Sequence, residues 1–154
     1  MPSAWRIVRA SRVNSAFTGE GARVYGGRWN LQGTAVVYVS EHESLAALEL
    51  FVHTMPLPPT ERYLSFRVHW EDKLTEYFPI KNLPRHWNAE PPTFETMQIG
   101  DEWVHRGKSV ALAVPSVLSM SEIQFLLNPR HPDFKKIKIS EPIEYRFDPR
   151  LLNR

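Results

Sequence analysis

Proline is the residue that most constrains the fold of this chain. Thirteen prolines, against seven glycines, are spread over 154 residues. Because proline fixes φ and removes a backbone donor, it ends helices and is excluded from central strands. The elements must therefore be short, which favours an α+β fold rich in strands over a helical bundle. The intervening stretches are too short to be linkers, so we expect residues 1–154 to form a single domain.

Hydrophobic patterning predicts the strands. Residues 35–39 are apolar, β-branched or aromatic and follow Gly33, which is typical of a buried strand. Residues 63–70 alternate apolar and polar side chains, as a half-buried strand does. Shorter runs of the same kind predict further strands at residues 5–8, 109–114, 123–127 and 143–147.

Two helices and two irregular segments are also predicted. Ser40 and Glu43 have the spacing of a capping box, so we expect a helix from there to about His53. A second helix is predicted over residues 93–106, ending at Gly107. We expect residues 11–23 to be a polar loop, and residues 79–92, with four prolines, to be a surface excursion.

The composition excludes several kinds of protein. There is no cysteine, so disulfides and thiol nucleophiles are ruled out, and the composition suits the reducing cytoplasm, where we expect the protein to act. The first residues lack an apolar signal core, and no apolar run approaches the roughly 18 residues that span a membrane. A net charge of +2, with scattered basic residues, argues against direct nucleic-acid binding. The six histidines show no metal-ligand spacing, so we expect no metal.

Glu49 is the first candidate for a functional residue. It is the only charge in the apolar run 45–52, roughly two turns into the first predicted helix. Burying a polar group without a partner costs about 2–7 kcal/mol, so such a carboxylate either is desolvated at a cost or lines a cavity. A structural ion pair, for example with Arg28, is the competing interpretation.

Arg28 is the second candidate, because it follows two glycines in the segment Tyr25-Gly26-Gly27-Arg28-Trp29-Asn30. Glycines let the backbone approach a ligand closely, and the guanidinium binds phosphate or carboxylate with two parallel hydrogen bonds. An arginine in a plain glycine-rich turn is the competing interpretation. Together, Arg28 and Glu49 suggest an active site for a small anionic molecule.

Several motifs in the same order resemble the RES domain family. They are the segment 26–30 with Gly33, the strand 37–40, the run Leu45-Ala46-Ala47-Leu48-Glu49, Val114-Pro115-Ser116 and Leu127-Asn128-Pro129. One departure is Gln124, where many relatives carry Asn. The resemblance covers nearly the whole chain and implies an ADP-ribosyltransferase-like fold, in a toxin that depletes NAD or transfers ADP-ribose to a protein. It also implies a cognate Xre-type antitoxin as partner, and it leaves a homodimer open.

By this resemblance Arg28, Glu49 and Ser116 are the catalytic residues. Tyr25, Gly27 and Tyr38, with Arg28 and Ser116, are expected to bind the substrate. The residue types suit the chemistry, since nicotinamide is already a cationic leaving group and a carboxylate can stabilise the oxocarbenium-like transition state. NAD is then the substrate, with water or inorganic phosphate as acceptor and no further cofactor. The alternatives are transfer of ADP-ribose to a protein and, in another class, a non-catalytic module that stacks nucleic acid on exposed aromatic rings.

Overall fold

A computed structural model describes residues 2–54 and 60–152. The elements of this part of the chain are β1 (Ser3–Arg9), α1 (Glu20–Tyr25), β2 (Val37–Ser40), α2 (Glu43–Thr54), β3 (Tyr63–His69), β4 (Thr75–Tyr77), α3 (Phe94–Arg106), β5 (Ala111–Pro115), β6 (Ile123–Leu127), β7 (Lys138–Ile139), β8 (Ile143–Tyr145) and α4 (Pro149–Leu152). Short 3₁₀ turns cover Ala10–Ser15, Asp72–Leu74, Ile80–Asn82 and Pro132–Lys136. The α+β fold class predicted from the sequence is confirmed.

The strands form one mixed sheet in the order β4-β5-β6-β2-β1-β3-β7, with β8 also paired to β3. The β4–β5 pair is parallel and the other pairs are antiparallel. β1 pairs with β3 along its whole length, but it meets β2 only where Trp5 lies opposite Ser40. The sheet therefore splits between β1 and β2.

Both long helices pack on the same face of the sheet, which we call the site face. Residues aligned across an antiparallel pair point to the same side, and residues two apart on a strand do so as well. α2 packs Ala46 and Ala47 against Ile7 of β1, while Trp103 of α3 packs against Leu112 of β5. The opposite face carries the largest apolar core, which includes Val37, Val39, Val68, Trp70, Phe125 and Leu127.

Most of the predicted elements are confirmed, and the differences have local causes. The predicted loop 11–23 is wrong, because it contains a 3₁₀ turn and most of α1, in which Glu20 and Arg23 form an ion pair. The capping box is also wrong. Ser40 is the last residue of β2, and the Glu43 carboxylate instead accepts a hydrogen bond of 2.7 Å from Ser65 on β3.

Three short elements escaped prediction: β4, β7 and α4 have two to four residues each, too few to show a period. The segment 79–92 is mostly at the surface, but Trp87 within it packs against Trp29, with ring centroids 6.4 Å apart.

No helix in residues 2–54 or 60–152 combines the length and the apolar character needed to cross a membrane.

Candidate active site

The segment 87–90, which binds Arg28, lies within electrostatic range of His53 of α2, and we call the space between the two on the site face the cleft. Its floor is set by strand register. Tyr38 of β2 is aligned with Leu126 of β6, and one row further along the strands Ser40 is aligned with Gln124. All four side chains therefore point to the side on which α2 and α3 pack. Ser40 and Gln124 are buried polar residues in this floor.

One side of α2 forms the first wall of the cleft. His42, just before α2, and Glu49 and His53 within it are separated by seven and four residues, so they lie on the same side of the helix. His42 pairs through Nδ1 with Glu122 in the turn after β5, and His53 Nε2 lies 3.4 Å from Glu49 Oε2. At a rise of about 1.5 Å per residue, Glu49 lies roughly 10 Å along the helix from His42, between the two ends of the wall.

The segment 87–90 forms the second wall, and it holds Arg28. Arg28 Nη1 donates to the carbonyl oxygens of Trp87 (3.1 Å) and Ala89 (2.6 Å), and Nη2 donates to Glu90 Oε2 at 3.0 Å. The Arg28 side chain is only 12% exposed, whereas that of Glu90 is 78% exposed. Asn88, between them, reaches Met120 in the turn after β5. The segment therefore contacts both Arg28 and the turn after β5.

Arg28 retains donors for a ligand. A guanidinium has five N–H bonds. Nη1 makes two hydrogen bonds and Nη2 makes one. Among the described residues, no acceptor is bonded to Nε or to the second N–H of Nη2. Nε and Nη2 together form the side-on fork that binds a carboxylate or phosphate bidentately.

Tyr38 lies within electrostatic range of both Arg28 and Glu49. Its hydroxyl donates to Asn30 Oδ1 (2.6 Å) and accepts from the backbone N–H of Trp29 (3.2 Å), the residue after Arg28. Burial raises the pKa of this hydroxyl, and the nearby charges of Arg28 and Glu49 act on it in opposite directions. Both charges therefore lie within electrostatic range of one phenol.

Glu49 is less isolated than the sequence suggested. Its side chain is 23% exposed, so it lines the cleft instead of being fully desolvated, and His53 is a polar neighbour one turn away. The hydrogen bond with Glu49 is the main cause that raises the pKa of His53, although burial acts against it. The charges of Glu90 and Arg28 also act on His53, which places this end of α2 beside the Arg28 anchor.

The other predicted residues occupy different positions around the cleft. Ser116 is 2% exposed, and its Oγ accepts from the backbone N–H groups of Leu118 and Ser119, so it holds the turn at the His42 end. Gly27 is required by contact, because a Cβ there would lie 2.8 Å from the Tyr38 hydroxyl. Tyr25 is 77% exposed at the end of α1, and no hydrogen bond in the described part of the chain ties its side chain to the cleft.

Sequence reasoning missed four contributors to this site. Asn30 is fully buried, and its Nδ2 donates to the carbonyl oxygens of Ala22, Leu31 and Thr34 while its Oδ1 binds Tyr38. Glu90 and the carbonyls before it hold Arg28 from 59 to 62 residues away, which no local pattern reveals. His53 had a usable signal in its spacing of four residues from Glu49.

The fourth, Arg6 of β1, lies where the sheet splits. Its guanidinium donates to the carbonyl oxygens of Ala16 (2.6 Å) and Tyr38 (2.9 Å), and burial lowers its pKa to about 10. It thus takes the place of the missing β1–β2 ladder bonds beneath the cleft.

A cluster of possible metal ligands lies at the His42 end. Ligand atoms of Glu41, His42 and Glu122 are within 4.8 Å of one another. Glu41 and His42 are neighbours on a bend, whereas Glu122 is 80 residues from His42 in the sequence. The sequence therefore shows none of the short spacings that are typical of metal ligands. Glu41 Oε2 accepts from the backbone N–H of Ile123, and His42 pairs with Glu122, so these contacts join the end of β2 to the turn after β5.

Comparisons with known proteins show what the chain is similar to. Residues 3–148 match the family described as RES domain. The chain is 38% identical over 148 residues to "Toxin Res" of Yersinia enterocolitica, which spans 96% of this chain and 97% of that protein. It is 36% identical over 158 residues to "Prs ADP-ribosylating toxin" of Sphingobium, covering 99% and 98% of the two proteins.

The fold has a counterpart among solved structures. A chain in the crystal structure of the Mycobacterium tuberculosis MbcT–MbcA toxin–antitoxin complex superposes with a TM-score of 0.73 at 15% identity. The match covers 93% of this chain and 83% of that one. At this identity the likeness concerns the fold alone.

Proposed function

The chain belongs to the RES domain family, and from this premise we propose that it is a toxin-type enzyme that binds NAD and cleaves the bond between nicotinamide and ribose. The observation that carries the proposal is that the Arg28 guanidinium, held by the carbonyls of Trp87 and Ala89, retains N–H donors that no described residue engages, while the charges of Arg28 and Glu49 both reach the Tyr38 phenol. A dinucleotide offers both groups a partner: a diphosphate for Arg28 and a ribose for Glu49.

Arg28 binds the diphosphate in this proposal. The carbonyls of Trp87 and Ala89 hold its guanidinium in a fixed orientation, so little side-chain entropy is lost when the substrate arrives. Glu90 is an exposed counter-ion that the diphosphate displaces or joins. Gly27 lets the phosphates come close to the backbone beside Arg28.

Glu49 stabilises the developing charge on the ribose. When the glycosidic carbon–nitrogen bond breaks, its electron pair leaves with the ring, and cationic nicotinamide departs as a neutral molecule. The ribose becomes oxocarbenium-like, and a carboxylate beside it lowers the energy of that state. Since the leaving group needs no proton, no strong general acid is required.

Water or inorganic phosphate completes the reaction. Water adds to the ribose carbon and releases a proton, giving ADP-ribose, whereas phosphate adds to give ADP-ribose 1″-phosphate. Ser116 and Tyr38 serve mainly to position neighbouring backbone, since their hydroxyl oxygens already accept backbone N–H groups. No metal takes part in this scheme. We place the reaction in the cytoplasm, where the NAD pool lies.

A second candidate function is transfer of ADP-ribose to a protein. It is favoured by the 36% identity to a protein named as an ADP-ribosylating toxin. The bond that breaks is the same, but a side chain of the target replaces water as the acceptor. We also propose a cognate Xre-type antitoxin that covers the cleft, supported by the fold shared with a chain of a toxin–antitoxin complex.

The purified protein incubated with NAD tests these proposals. We expect free nicotinamide to appear, to be lost in Glu49→Gln, and to persist in Glu102→Gln, which removes an exposed carboxylate of α3 as a matched control. Release of nicotinamide without labelled protein supports hydrolysis or phosphorolysis, and radiolabelled protein supports transfer. Turnover that survives both Glu49→Gln and Arg28→Ala would overturn the site assignment.

A second test is made in cells. Brief induced expression of the wild-type chain should lower intracellular NAD, and the Glu49→Gln variant, expressed to the same level, should leave it unchanged. An unchanged NAD level with wild-type protein that is folded and abundant would contradict NAD depletion and favour the transfer reaction.

A further inference from the structure

Gln124 has hydrogen-bonding capacity that the protein does not use. Its side chain lies in the floor of the cleft and is only 7% exposed. Its Oε1 is 3.5 Å from Ser40 Oγ, well beyond the usual length of about 2.7–2.8 Å for a hydroxyl hydrogen bond. In residues 2–54 and 60–152 no group accepts a hydrogen bond from its Nε2. This nitrogen is not one of the completely buried side-chain atoms that lack a partner. The amide is therefore buried, and its N–H groups have no acceptor among the described residues.

A buried amide of this kind is costly to keep without a partner. Leaving a buried donor or acceptor unsatisfied costs roughly 1–3 kcal/mol. Apolar residues surround it on the same face, since Val114 lies opposite Gln124 on β5 and Leu126 is two residues further along β6. An apolar side chain would complete this core at lower cost, which favours a ligand as the partner of the amide.

The position of Gln124 selects the part of the substrate it meets. Along α2, His53 lies within range of the charges of Arg28 and Glu90, whereas His42, at the start of the helix, pairs with Glu122. Gln124 is aligned with Ser40, which lies two residues beyond Tyr38 on β2, next to the start of α2. Gln124 is therefore displaced from Tyr38 in the direction away from Arg28. In NAD the diphosphate and the nicotinamide lie on opposite sides of one ribose. With the diphosphate at Arg28 and that ribose at Glu49, the nicotinamide ring points toward Gln124.

We propose that Gln124 recognises the carboxamide of the nicotinamide ring through a pair of amide–amide hydrogen bonds. This inference rests on the proposed NAD-cleaving function and names the group that this end of the site selects. A glutamine amide offers one donor beside one acceptor, and a carboxamide offers the complement. The pair fixes the ring plane before the bond to ribose breaks and disfavours rings that lack the amide N–H.

The test compares NAD with its 3-acetylpyridine analogue, in which a methyl ketone replaces the amide. Gln124→Met keeps the length of the side chain and removes both hydrogen-bonding atoms, while Gln98→Met changes an exposed glutamine of α3 as a control. We expect kcat/KM for NAD to fall about 10- to 100-fold in Gln124→Met, as the loss of two hydrogen bonds in a buried site predicts. The fall with the analogue should be several-fold smaller, and product inhibition by nicotinamide should weaken.

Each outcome separates this inference from the function on which it rests. Suppose that wild-type protein cleaves NAD in a Glu49-dependent way, but that Gln124→Met lowers kcat/KM equally for NAD and the analogue, or for neither. The carboxamide contact is then refuted and the proposed function stands. If wild-type protein does not cleave NAD, both fall together. Should Gln124→Met fail to fold, Gln124→Glu keeps the shape and the acceptors but loses the N–H donors, and it must show the same loss of preference for NAD.

Discussion

Replacing Gly100 with alanine sets two physical effects of opposite sign against each other. Gly100 lies inside α3, where alanine is favoured over glycine by about 1 kcal/mol. A Cβ at this position would overlap the carbonyl oxygen of Trp29 and lie 2.8 Å from its carbonyl carbon. Backbone atoms cannot rotate away, so α3 or the turn that carries Arg28 must move. Overpacking of this kind costs typically 1–3 kcal/mol and occasionally more.

We expect the steric effect to win. With an overlap of backbone on backbone, a cost at or above about 3 kcal/mol is reasonable, which leaves a net loss of about 2 kcal/mol or more after the helix propensity is credited. For a protein of this size, each kcal/mol shifts Tm by roughly 2–4 °C, so Tm should fall by about 4–8 °C. Urea unfolding followed by the fluorescence of the five tryptophans measures the same loss.

Gly21→Ala is the matched control. Gly21 lies in α1, its φ is not positive, and a Cβ there would meet nothing within 4 Å. Only the propensity term applies, so this variant should gain up to about 1 kcal/mol. Stabilisation by Gly100→Ala of the same size as that by Gly21→Ala would refute the close approach of α3 to Trp29. It would also mean that α3 does not constrain the turn that carries Arg28.

Three more outcomes are expected. Glu90→Gln should lower KM for NAD about two- to fivefold at unchanged kcat in steady-state assays, because an exposed counter-ion no longer competes for Arg28; a higher KM would mean that Glu90 mainly holds Arg28 in place. Asn30→Ala should destabilise by about 2–4 kcal/mol in urea, since buried carbonyls lose their donor and Tyr38 its acceptor, and a loss below about 1 kcal/mol would contradict this. The bond to Glu49 raises the pKa of His53, so their pairing stabilises the fold below the ordinary histidine pKa of 6.5 and loses this effect as pH rises through the raised value. His53→Gln should therefore lower the urea midpoint more at about pH 5.5 than at about pH 8.5, and equal losses at both would disprove the coupling.

Periodicity was enough to find the long elements. The alternation in residues 63–70 and the run at 123–127 identified β3 and β6, and the glycine at 107 ended α3 as expected, with a left-handed φ of 61°. Local patterns succeed here because the buried side of each element repeats with the period of its own backbone. They failed at Ser40, because the choice between a helix cap and a strand end depends on β6, which pairs with Ser40 from 84 residues away.

The two halves of the candidate site differ in the same way. The sequence by itself determined which side chains are chemically unusual: a carboxylate on an apolar helix, and an arginine behind two glycines. Only the tertiary structure decided what surrounds them. The carbonyls that fix Arg28 come from a segment about 60 residues away, and strand register alone brings the side chain of Gln124 to the site face. Residue types are local properties of a chain, whereas hydrogen-bond partners and burial are set by contacts between distant segments, which form only when the sheet and helices pack.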